Sequence, residues 1–486
     1  MIKLKDYKQF LTKNERNKTY LKKNSPKART IADSKWLTKN KLRKAGVSVP
    51  ELIARFRSEE EVENFDWLKL EGNFVIKPVS GYGGEGVIVI RKRGKLAGEW
   101  RKMDGEIISE SDLKLHSKEI LSGVYSLYGM KDGVIVEERI KIHPKFLSLT
   151  RSGTPDVRVV VYNKVPLMAM LRIPTEKSGG KSNLQQGAIG LGLDLATGIS
   201  TYAVSGKSEV ITKIFDFNKK KQIKANGIKI PYWRDILETA VKCQEAVPGL
   251  GFMGVDVVLD KEKGPVVLEL NARPGLSIQI CNKAGLKGRI RRVEGIKVKG
   301  VDHGVNLAKY LFAEDFWEKV EAKSNNEGLV VNPLETIKVN LGKSKTMGIK
   351  NKKERVVEVR AKIDTGAFRS SIDEDLAKEL GLLDEGNVLY YRHYRSALGK
   401  SKERPVVSLT FWLKGKRIDT AVSVADRRKL RTKVLIGRKD LKGFLISAVD
   451  TAKVGKKIVP SIKLRVNKKL IKKGGNRLRV RYGELK

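Results

Sequence analysis

The chain contains few of the residues that mark several common classes of protein. It has 2 cysteines and 4 histidines among 486 residues, too few for a disulfide framework or a zinc cluster. Aromatic residues make up only 7% of it. No apolar run approaches the length of a membrane-spanning helix, and the start MIKLKDYKQF has no hydrophobic stretch after its charges. These absences predict a protein of the reducing cytoplasm with no membrane insertion.

Acidic residues are also scarce relative to basic ones. The chain has 99 Lys and Arg against 55 Asp and Glu, which gives a net charge of +44. Such a charge suggests a polyanionic partner. The basic residues are nevertheless spread along the chain, without an arginine-rich arm or a stacking-aromatic motif. The one dense basic patch is the tail at residues 449–486, for which we expect non-specific polyanion contact.

The length predicts about two or three domains. We expect a basic helix over residues 1–30 that ends near Ser25-Pro26, and a second helix that begins at Asp33 or Ser34 and ends at Gly46. Strands and helices alternate after that, and a polar segment then precedes a strand-rich region. The sequence therefore predicts a main domain at 31–318, a linker at 319–335, a second domain at 336–448 and the basic tail.

Two apolar strands between Gly251 and Gly275 carry acidic or amide side chains. Asp256 lies on the first strand, and Glu269 and Asn271 lie two residues apart on the second, so these last two point to the same face. Three hard oxygen ligands suit Mg²⁺, or Mn²⁺ in its place. The alternative is a half-buried hairpin with a few solvated acids.

The segment FVIKPVSGYGGEGVIVI predicts a strand, a glycine-rich turn and a second strand. Lys77 lies at the end of the first strand, where its ammonium group needs an anion. The glycines of the turn let the backbone fold over phosphates and offer N–H donors; they include Gly81, Gly83 and Gly84. The pattern is not a P-loop. A glycine-rich hairpin alone is weak evidence, since many hairpins turn on glycine.

Three more segments follow in order: GVIVEERI, the hairpin PDVRVVVYNKVPLMAMLRIP and the polar loop KSNLQQGAIG. The whole series, from the lysine strand to Glu-x-Asn, resembles the ATP-grasp superfamily, most closely the branch of alpha-L-glutamate ligases. The resemblance covers about Ile31 to Leu311. It implies an α+β multidomain protein in which two α+β subdomains grip ATP.

The resemblance also implies roles for individual residues. Lys77 would bind ATP phosphate under a flap at Gly81–Gly86, and Glu137 or Glu138 would lie with Arg139 at the adenine hinge. The remaining implied roles are triphosphate contacts for Asp156, Lys181, Ser182 and Asn183, and metal ligation for Asp256, Glu269 and Asn271. Lys181 stands where ribosomal-protein glutamate ligases usually have arginine, and Gln185-Gln186 replaces a His-Arg pair. These departures leave the substrate open.

The activity implied is that of an ATP- and Mg²⁺-dependent carboxylate–amine ligase. A carboxylate of a peptide or protein acceptor would form an acyl phosphate, which the amine of an amino-acid donor would then attack. Arg158, Arg172 and Arg273 are our candidates for stabilising the acyl phosphate; each could instead form a structural salt bridge. A kinase-like phosphotransferase would need the same residues around the phosphates. A third interpretation is a polyanion-binding protein with a regulatory nucleotide site.

A second candidate site lies in the strand-rich region. KIDTGAFRSSI puts Asp364 at the end of a strand before a tight turn, and KVLIGRKDL follows about seventy residues later. This pairing resembles the retropepsin-like aspartic proteases, which implies a small all-β barrel. Because aspartic proteolysis needs two carboxylates that share one proton, a single Asp-Thr-Gly implies a homodimer with Asp364 from each copy. The alternative is a docking or dimerisation module in which Asp364 is inert.

Overall fold

The computed structural model describes residues 8–312, apart from 82–83, 127–128, 152 and 207–208, and residues 329–447, apart from 343–355, 385, 396–400 and 429. Gly83 and the predicted basic tail lie outside the described residues, as does the part of the predicted linker before residue 329. No helix in the described part is long and apolar enough to cross a membrane.

The elements are numbered in chain order. The α-helices are α1 (Lys13–Glu15), α2 (Pro26–Asp33), α3 (Lys35–Lys44), α4 (Glu59–Asn64), α5 (Glu110–Ser122), α6 (Pro144–Leu147), α7 (Trp233–Ala246), α8 (Ile278–Cys281), α9 (Leu286–Val293), α10 (Val301–Leu311) and α11 (Glu374–Glu379). The strands are β1 (Leu52–Phe56), β2 (Phe74–Pro78), β3 (Ile88–Arg93), β4 (Glu99–Lys102), β5 (Ile107–Ser109), β6 (Val134–Glu138), β7 (Asp156–Tyr162), β8 (Val165–Ile173), β9 (Ile189–Leu193), β10 (Ser200–Val204), β11 (Val210–Ile211), β12 (Lys213–Asp216), β13 (Lys221–Lys224), β14 (Phe252–Asp260), β15 (Gly264–Asn271), β16 (Leu329–Val331), β17 (Leu334–Asn340), β18 (Val356–Asp364), β19 (Ser371–Asp373), β20 (Val388–Arg395), β21 (Ser401–Leu413), β22 (Lys416–Ala425), β23 (Val434–Gly437) and β24 (Phe444–Ile446).

The N-terminal segment differs from its prediction. The described part of residues 1–30 is not one basic helix but α1, a π-helical stretch at Arg16–Tyr20, a 3₁₀ turn at Leu21–Lys23 and the start of α2. Asn24 causes the break, because it is extended and its side-chain amide donates to the Phe252 carbonyl at 2.7 Å and accepts from the Phe252 N–H at 2.8 Å. This tertiary anchor outweighs the local preference for helix.

The predicted start of the second helix is confirmed. The hydroxyl of Ser34 accepts from the Leu37 N–H at 3.3 Å, which caps α3, and the helix ends at Lys44 just before Gly46 at φ +70°. A further helix, α2, precedes it, with Ser25 as its cap and Pro26 in its first turn.

Two antiparallel sheets build the larger domain. The first has the order β1-β6-β2-β3-β4-β5, and α5 packs against it. The second has the order β11-β10-β9-β8-β7-β14-β15, with α7 and α10 among the helices that cover it. Helices α2 and α3 lie between the sheets and contact β15. This arrangement places the end of β2 and the faces of β7, β14 and β15 around one cleft.

The second domain is a small closed barrel. Its sheet has the order β17-β18-β23-β19-β22-β21, and β17 pairs again with β21, which closes the six strands. β18 and β23 run parallel, so that Asp364 lies beside Gly437. The predicted fold class, ATP-grasp-like α+β subdomains followed by an all-β barrel, is confirmed.

The predicted linker at 319–335 extends too far. Residues 329–331 form β16, which pairs in parallel with β24, and β17 begins at Leu334. The residues before 329 are polar, and the predicted linker was extended from them over β16 and the start of β17. The described part of the second domain therefore begins at 329 instead of 336.

The barrel packs against the larger domain through α10. The Nδ1 atom of His303 accepts from the Lys299 N–H at 3.0 Å, so its Nε2 carries the hydrogen and donates to the Leu389 carbonyl at 2.8 Å. Three barrel residues join the hydrophobic core of the larger domain: Leu389, Val406 and Ala421. The second domain keeps a hydrophobic core of its own, and these three residues extend the core of the larger domain across the interface.

Candidate active site

Three lysines converge at the first sheet of the cleft. Lys77 on β2 and Lys39 on α3 both form ion pairs with Glu137 on β6. All three of these side chains are buried. Lys35 lies one turn before Lys39 on the same helix face, and its Nζ donates to the Gly81 carbonyl at 2.9 Å. The lysines outnumber Glu137, the one carboxylate of the described residues with which they form ion pairs, and Glu269 and Asp132 act on Lys35 from a longer range.

This imbalance affects proton affinity. Burial, and then the charge of Lys77, lower the pKa of Lys39 well below its ordinary value. Burial likewise lowers the pKa of Lys35. Burial alone would raise the pKa of Glu137, but Lys77 and Lys39 outweigh it and hold that pKa below its usual range. An anion in the cleft would supply the missing negative charge.

The prediction left open whether Glu138 or Glu137 lies near the ribose or adenine, and the structure separates these two acids. The Glu137 carboxylate faces the lysines, which leaves Glu138 as the acid at the predicted adenine hinge. Glu138 Oε1 accepts from the Glu51 N–H at 3.0 Å and from Lys263 at 2.5 Å. Arg139 donates to the Asn73 side chain at 2.8 Å.

The glycine turn lies over the lysine cluster. A Cβ on Gly81 would lie 2.1 Å from Pro78 Cγ, so the chain can bend here only without a side chain. Gly84 approaches the Lys181 side chain, 3.7 Å from its Cδ to the Cβ position of Gly84. The structure thus brings Lys77, Gly81, Gly84 and Lys181 together.

The loop that carries Lys181 is held by its neighbours. The Ser182 hydroxyl donates to the Thr154 carbonyl at 2.6 Å, and the Asn183 side chain accepts from the Gln185 N–H at 3.0 Å. Both side chains fix the loop in this structure. Their predicted contacts with triphosphate stay predictions.

A second cluster of charges lies on the other sheet. Arg158 donates two hydrogen bonds to Asp256, at 2.6 and 2.5 Å. Arg172 donates two to Asp156, at 2.6 and 2.7 Å, and a third to Asp256 at 2.7 Å. The candidate acyl-phosphate arginines are thus committed to two buried aspartates, and Asp156 serves as a partner of Arg172.

The two aspartates differ in proton affinity. Burial alone would raise the pKa of Asp256, but Arg158 and Arg172 outweigh it and hold that pKa well below its usual range. Burial, together with the neighbouring charge of Asp256, raises the pKa of Asp156 to about 6, although Arg172 acts in the opposite direction. Asp256 is therefore the permanent anion of the pair.

Arg273 lies apart from this cluster. Its guanidinium group pairs with Asp33 at 2.9 Å, and both side chains are about half exposed. Of the three candidate arginines, Arg273 is the one that this structure places in a surface salt bridge.

The predicted metal ligands do share one sheet face. Asp256 pairs directly with Glu269 across β14 and β15, and the Asn271 amide donates to Glu269 at 3.2 Å. The Glu269 side chain is 40% exposed and so is accessible from the cleft. Their oxygens fit Mg²⁺ by chemistry, although both Asp256 oxygens already accept from arginines. In the described chain no cluster of three His, Cys, Asp or Glu side chains has metal-binding geometry, so Asn271 would complete the ligand set.

Lys35 and Lys39 are the residues that sequence reasoning missed. Lys35 lies within electrostatic reach of Glu269, Lys77 and Glu137, so it connects the two charge clusters. The available signal was the four-residue spacing of two lysines on the predicted helix of ADSKWLTKNKLRKAG. That spacing alone does not show that the helix face is buried.

Asp364 lies in a turn at the end of β18. Its Oδ1 accepts from the N–H groups of Gly366 and Ala367 at 3.0 and 3.1 Å. Lys362 lies 3.6 Å from its other oxygen, and 26% of the Asp364 side chain is exposed. The turn therefore presents one oriented carboxylate at the barrel surface.

Two family models match the chain, one over each domain that carries a candidate site. A family model described as sugar-transfer associated ATP-grasp matches residues 15–295, more than half of the chain. The chain belongs to this ATP-grasp family. ATP is accordingly the ligand expected in the cleft. A second model, described as aspartyl protease, matches residues 349–439 and covers Asp364. The recognised combination of an ATP-grasp domain and a protease-like domain is confirmed, whereas the glutamate-ligase branch stays a prediction.

Several solved structures are similar to this ATP-grasp chain. The ATP-grasp ligase PsnB, complexed with minimal precursor, is 18% identical over 56% of this chain and 62% of its own, with a TM-score of 0.30. D-alanine–D-alanine ligase from Bacillus anthracis is 17% identical over 54% and 66%, with a TM-score of 0.29. L-amino acid ligase from Bacillus licheniformis is 15% identical over 52% and 45%, with a TM-score of 0.30. The chain spans less than two thirds of each of these structures, and no curated protein sequence matches it.

Proposed function

We propose that this ATP-grasp protein is an ATP- and Mg²⁺-dependent carboxylate–amine ligase that acts on a peptide or protein carboxylate. The observation that carries the proposal is that two buried lysines, Lys39 and Lys77, share one buried carboxylate, Glu137, with the partly buried Lys35 beside them. Buried ammonium groups without counter-charges are costly. The triphosphate of ATP, under the glycine turn, would balance them.

The other cluster suits the reacting carboxylate. Glu269 and Asn271, with Asp256, would hold Mg²⁺, which would shield the phosphate charge from the incoming carboxylate. The acceptor oxygen would bond to the γ-phosphorus and ADP would leave; the donor amine would then bond to the acyl carbon and phosphate would leave. Arg158 and Arg172 would orient Asp256 throughout. Glutamate is the donor that the sequence resemblance suggests.

The test uses the full chain with ATP, Mg²⁺, pooled amino acids and candidate acceptors. A glycan-linked carboxylate is included because the family description refers to sugar transfer. We expect ADP and free phosphate in equal amounts, only when an acceptor is present, and an acceptor mass increased by one amino acid. Phosphate retained on the acceptor would instead establish a kinase-like phosphotransferase. Hydroxylamine separates the two, since it converts an acyl phosphate to a hydroxamate.

For the barrel we propose a peptide-hydrolysing site completed by a second copy of the chain. The carboxylate of Asp364 is oriented and partly exposed, as described above, and the adjacent Phe368 is 56% exposed. The parallel pair β16–β24 also exposes apolar side chains, namely Leu329, Val330, Leu445 and Ile446. A two-fold contact over these surfaces would bring the two Asp364 side chains together. In the docking alternative, the same contact forms without hydrolysis.

A further inference from the structure

We propose that the hairpin β12–β13 binds an extended acidic segment of the peptide acceptor. This inference rests on the function proposed above and names the class of substrate that the ligase site receives. The evidence is the unpaired edges of the hairpin, its unbalanced charge, its exposed aromatic side chain and its position beside the nucleotide loops.

The hairpin has free edges. Strands β12 and β13 pair only with each other in the part of the chain that the structure describes. Each outer edge therefore presents backbone N–H and C=O groups that are not used in a sheet. An extended peptide can add to such an edge as a third strand, whereas a polynucleotide has no matching backbone.

The hairpin carries charge of one sign. Five lysines are exposed along it: Lys213, Lys219, Lys220, Lys221 and Lys224. Lys213 lies directly opposite Lys224, and like charges at that spacing repel each other. The one acid of the hairpin, Asp216, is buried and accepts from the N–H groups of Asn218 and Lys219, each at 3.1 Å. Carboxylates of a bound peptide would relieve the repulsion.

An apolar side chain lies among these charges. Phe215 is 39% exposed on the same face as Lys213 and Lys224, because residues 213 and 215 alternate with the buried Ile214. Its ring lies 4.9 Å from that of Phe217, and the Arg151 guanidinium group stacks over Phe217 at 5.3 Å. The face therefore combines apolar contact with cations on both sides.

The hairpin is connected to the nucleotide site. The Phe217 N–H donates to the Ser148 carbonyl at 2.8 Å, and Arg151 pairs with Glu176 at 3.5 Å. A few residues farther on, Thr154 is bonded to Ser182, which follows the Lys181 that lies against the glycine turn. The hairpin is thus joined through these loops to Lys181, next to the glycine turn.

The test measures binding of a fluorescein-labelled decaglutamate peptide to the full chain without ATP, by fluorescence anisotropy. The variant reverses the hairpin charge with Lys213→Glu, Lys221→Glu and Lys224→Glu. The matched control reverses three exposed lysines elsewhere, Lys44→Glu, Lys92→Glu and Lys242→Glu. We expect the hairpin variant to weaken peptide binding at least about tenfold and the control less than about twofold.

Two further probes separate the alternatives. Decaglutamate methylated on alternate backbone nitrogens keeps its charge but cannot pair with an edge, and we expect it to bind more weakly than the parent peptide. Equal loss in both lysine variants would overturn the proposal, since binding would then reflect total charge. Loss of oligo(dT) binding with decaglutamate binding retained would also overturn it in favour of a nucleic-acid surface. Because no turnover is measured, failure of the ligase reaction would not be mistaken for failure of the hairpin.

Discussion

The charged side chains of this cleft differ in how completely their charges are paired. On one sheet a glutamate is outnumbered by lysines, and on the other two aspartates are matched by Arg158 and Arg172. Glu269 lies on the second of these sheets. Among the described residues no lysine or arginine lies within hydrogen-bond distance of its carboxylate, since the Arg158 guanidinium group is 3.8 Å away. Glu269 is therefore the carboxylate most available to a metal ion.

We expect Glu269→Gln to abolish acceptor-dependent ADP formation while the unfolding temperature stays within about 2 °C of the parent. The change removes the charge of the side chain but keeps its shape and its neighbour Asn271. The measurements are coupled ADP release and thermal denaturation. Glu262→Gln, at the exposed β14–β15 turn, is the control. Wild-type turnover in the Glu269 variant would place the metal elsewhere.

Lys39 leads to a pH prediction. Its pKa is lowered in the protein without nucleotide, and a bound triphosphate would raise it again. ATP binding should then take up a proton, so the affinity should fall as pH rises between the lowered and the ordinary pKa. Titration calorimetry in two buffers of different ionisation enthalpy measures this uptake.

The matched variants for that experiment lie on one helix. Lys39→Met should remove the pH dependence, whereas Lys44→Met, exposed at the end of α3, should keep it. The same proton uptake in both variants would show that another group titrates.

At the scale of elements, prediction succeeded where local pattern and tertiary role agree. The alternating strand that ends at Asp364 and the later apolar strand into Gly437 do pair, as their order suggested. The prediction of one helix over the first thirty residues was wrong because Asn24 is hydrogen-bonded to Phe252, more than two hundred residues away. The contacts of Arg158 and Arg172 with Asp256 were equally invisible, since no local spacing indicates that β7 and β14 become neighbours in the sheet. Asp156 and Arg172, by contrast, lie opposite each other in the predicted hairpin.

Packing of α8 gives a prediction at this scale. A Cβ on Gly192 in β9 would lie 2.2 Å from the Cys281 carbonyl oxygen, so the helix rests directly on the strand. Gly192→Ala should destabilise the fold by about 1–3 kcal/mol, because backbone would have to move. Gly275→Ala is the control, since its Cβ would meet only Arg158 at 3.9 Å. Urea denaturation of both variants measures the difference; equal midpoints would refute this account of the helix contact.

At the scale of the whole molecule, the hydrolytic site proposed for the barrel requires a second copy of the chain. Asp364→Asn should abolish peptide hydrolysis and leave ligase turnover unchanged, because the turn lies on the other domain. Light scattering of the parent chain should show a dimer, and Leu445→Lys on the exposed face of β24 should shift it toward monomer and lower hydrolysis. A dimer without hydrolysis would favour the docking module, and a monomeric parent without hydrolysis would contradict the proposed protease and leave only the ligase.

The barrel's own motif also fastens it to the larger domain. Arg369, five residues after Asp364, bonds to the Tyr310 hydroxyl on α10, and Tyr310 in turn contacts Tyr390 at 3.2 Å. Separating the two domains would expose Leu389, Val406 and Ala421, which now pack into the core of the larger domain. If two genes encoded the halves separately, each protein would therefore expose an apolar surface and tend to aggregate. The joined chain would therefore resist being split by recombination, and the two domains are inherited, synthesised and degraded together.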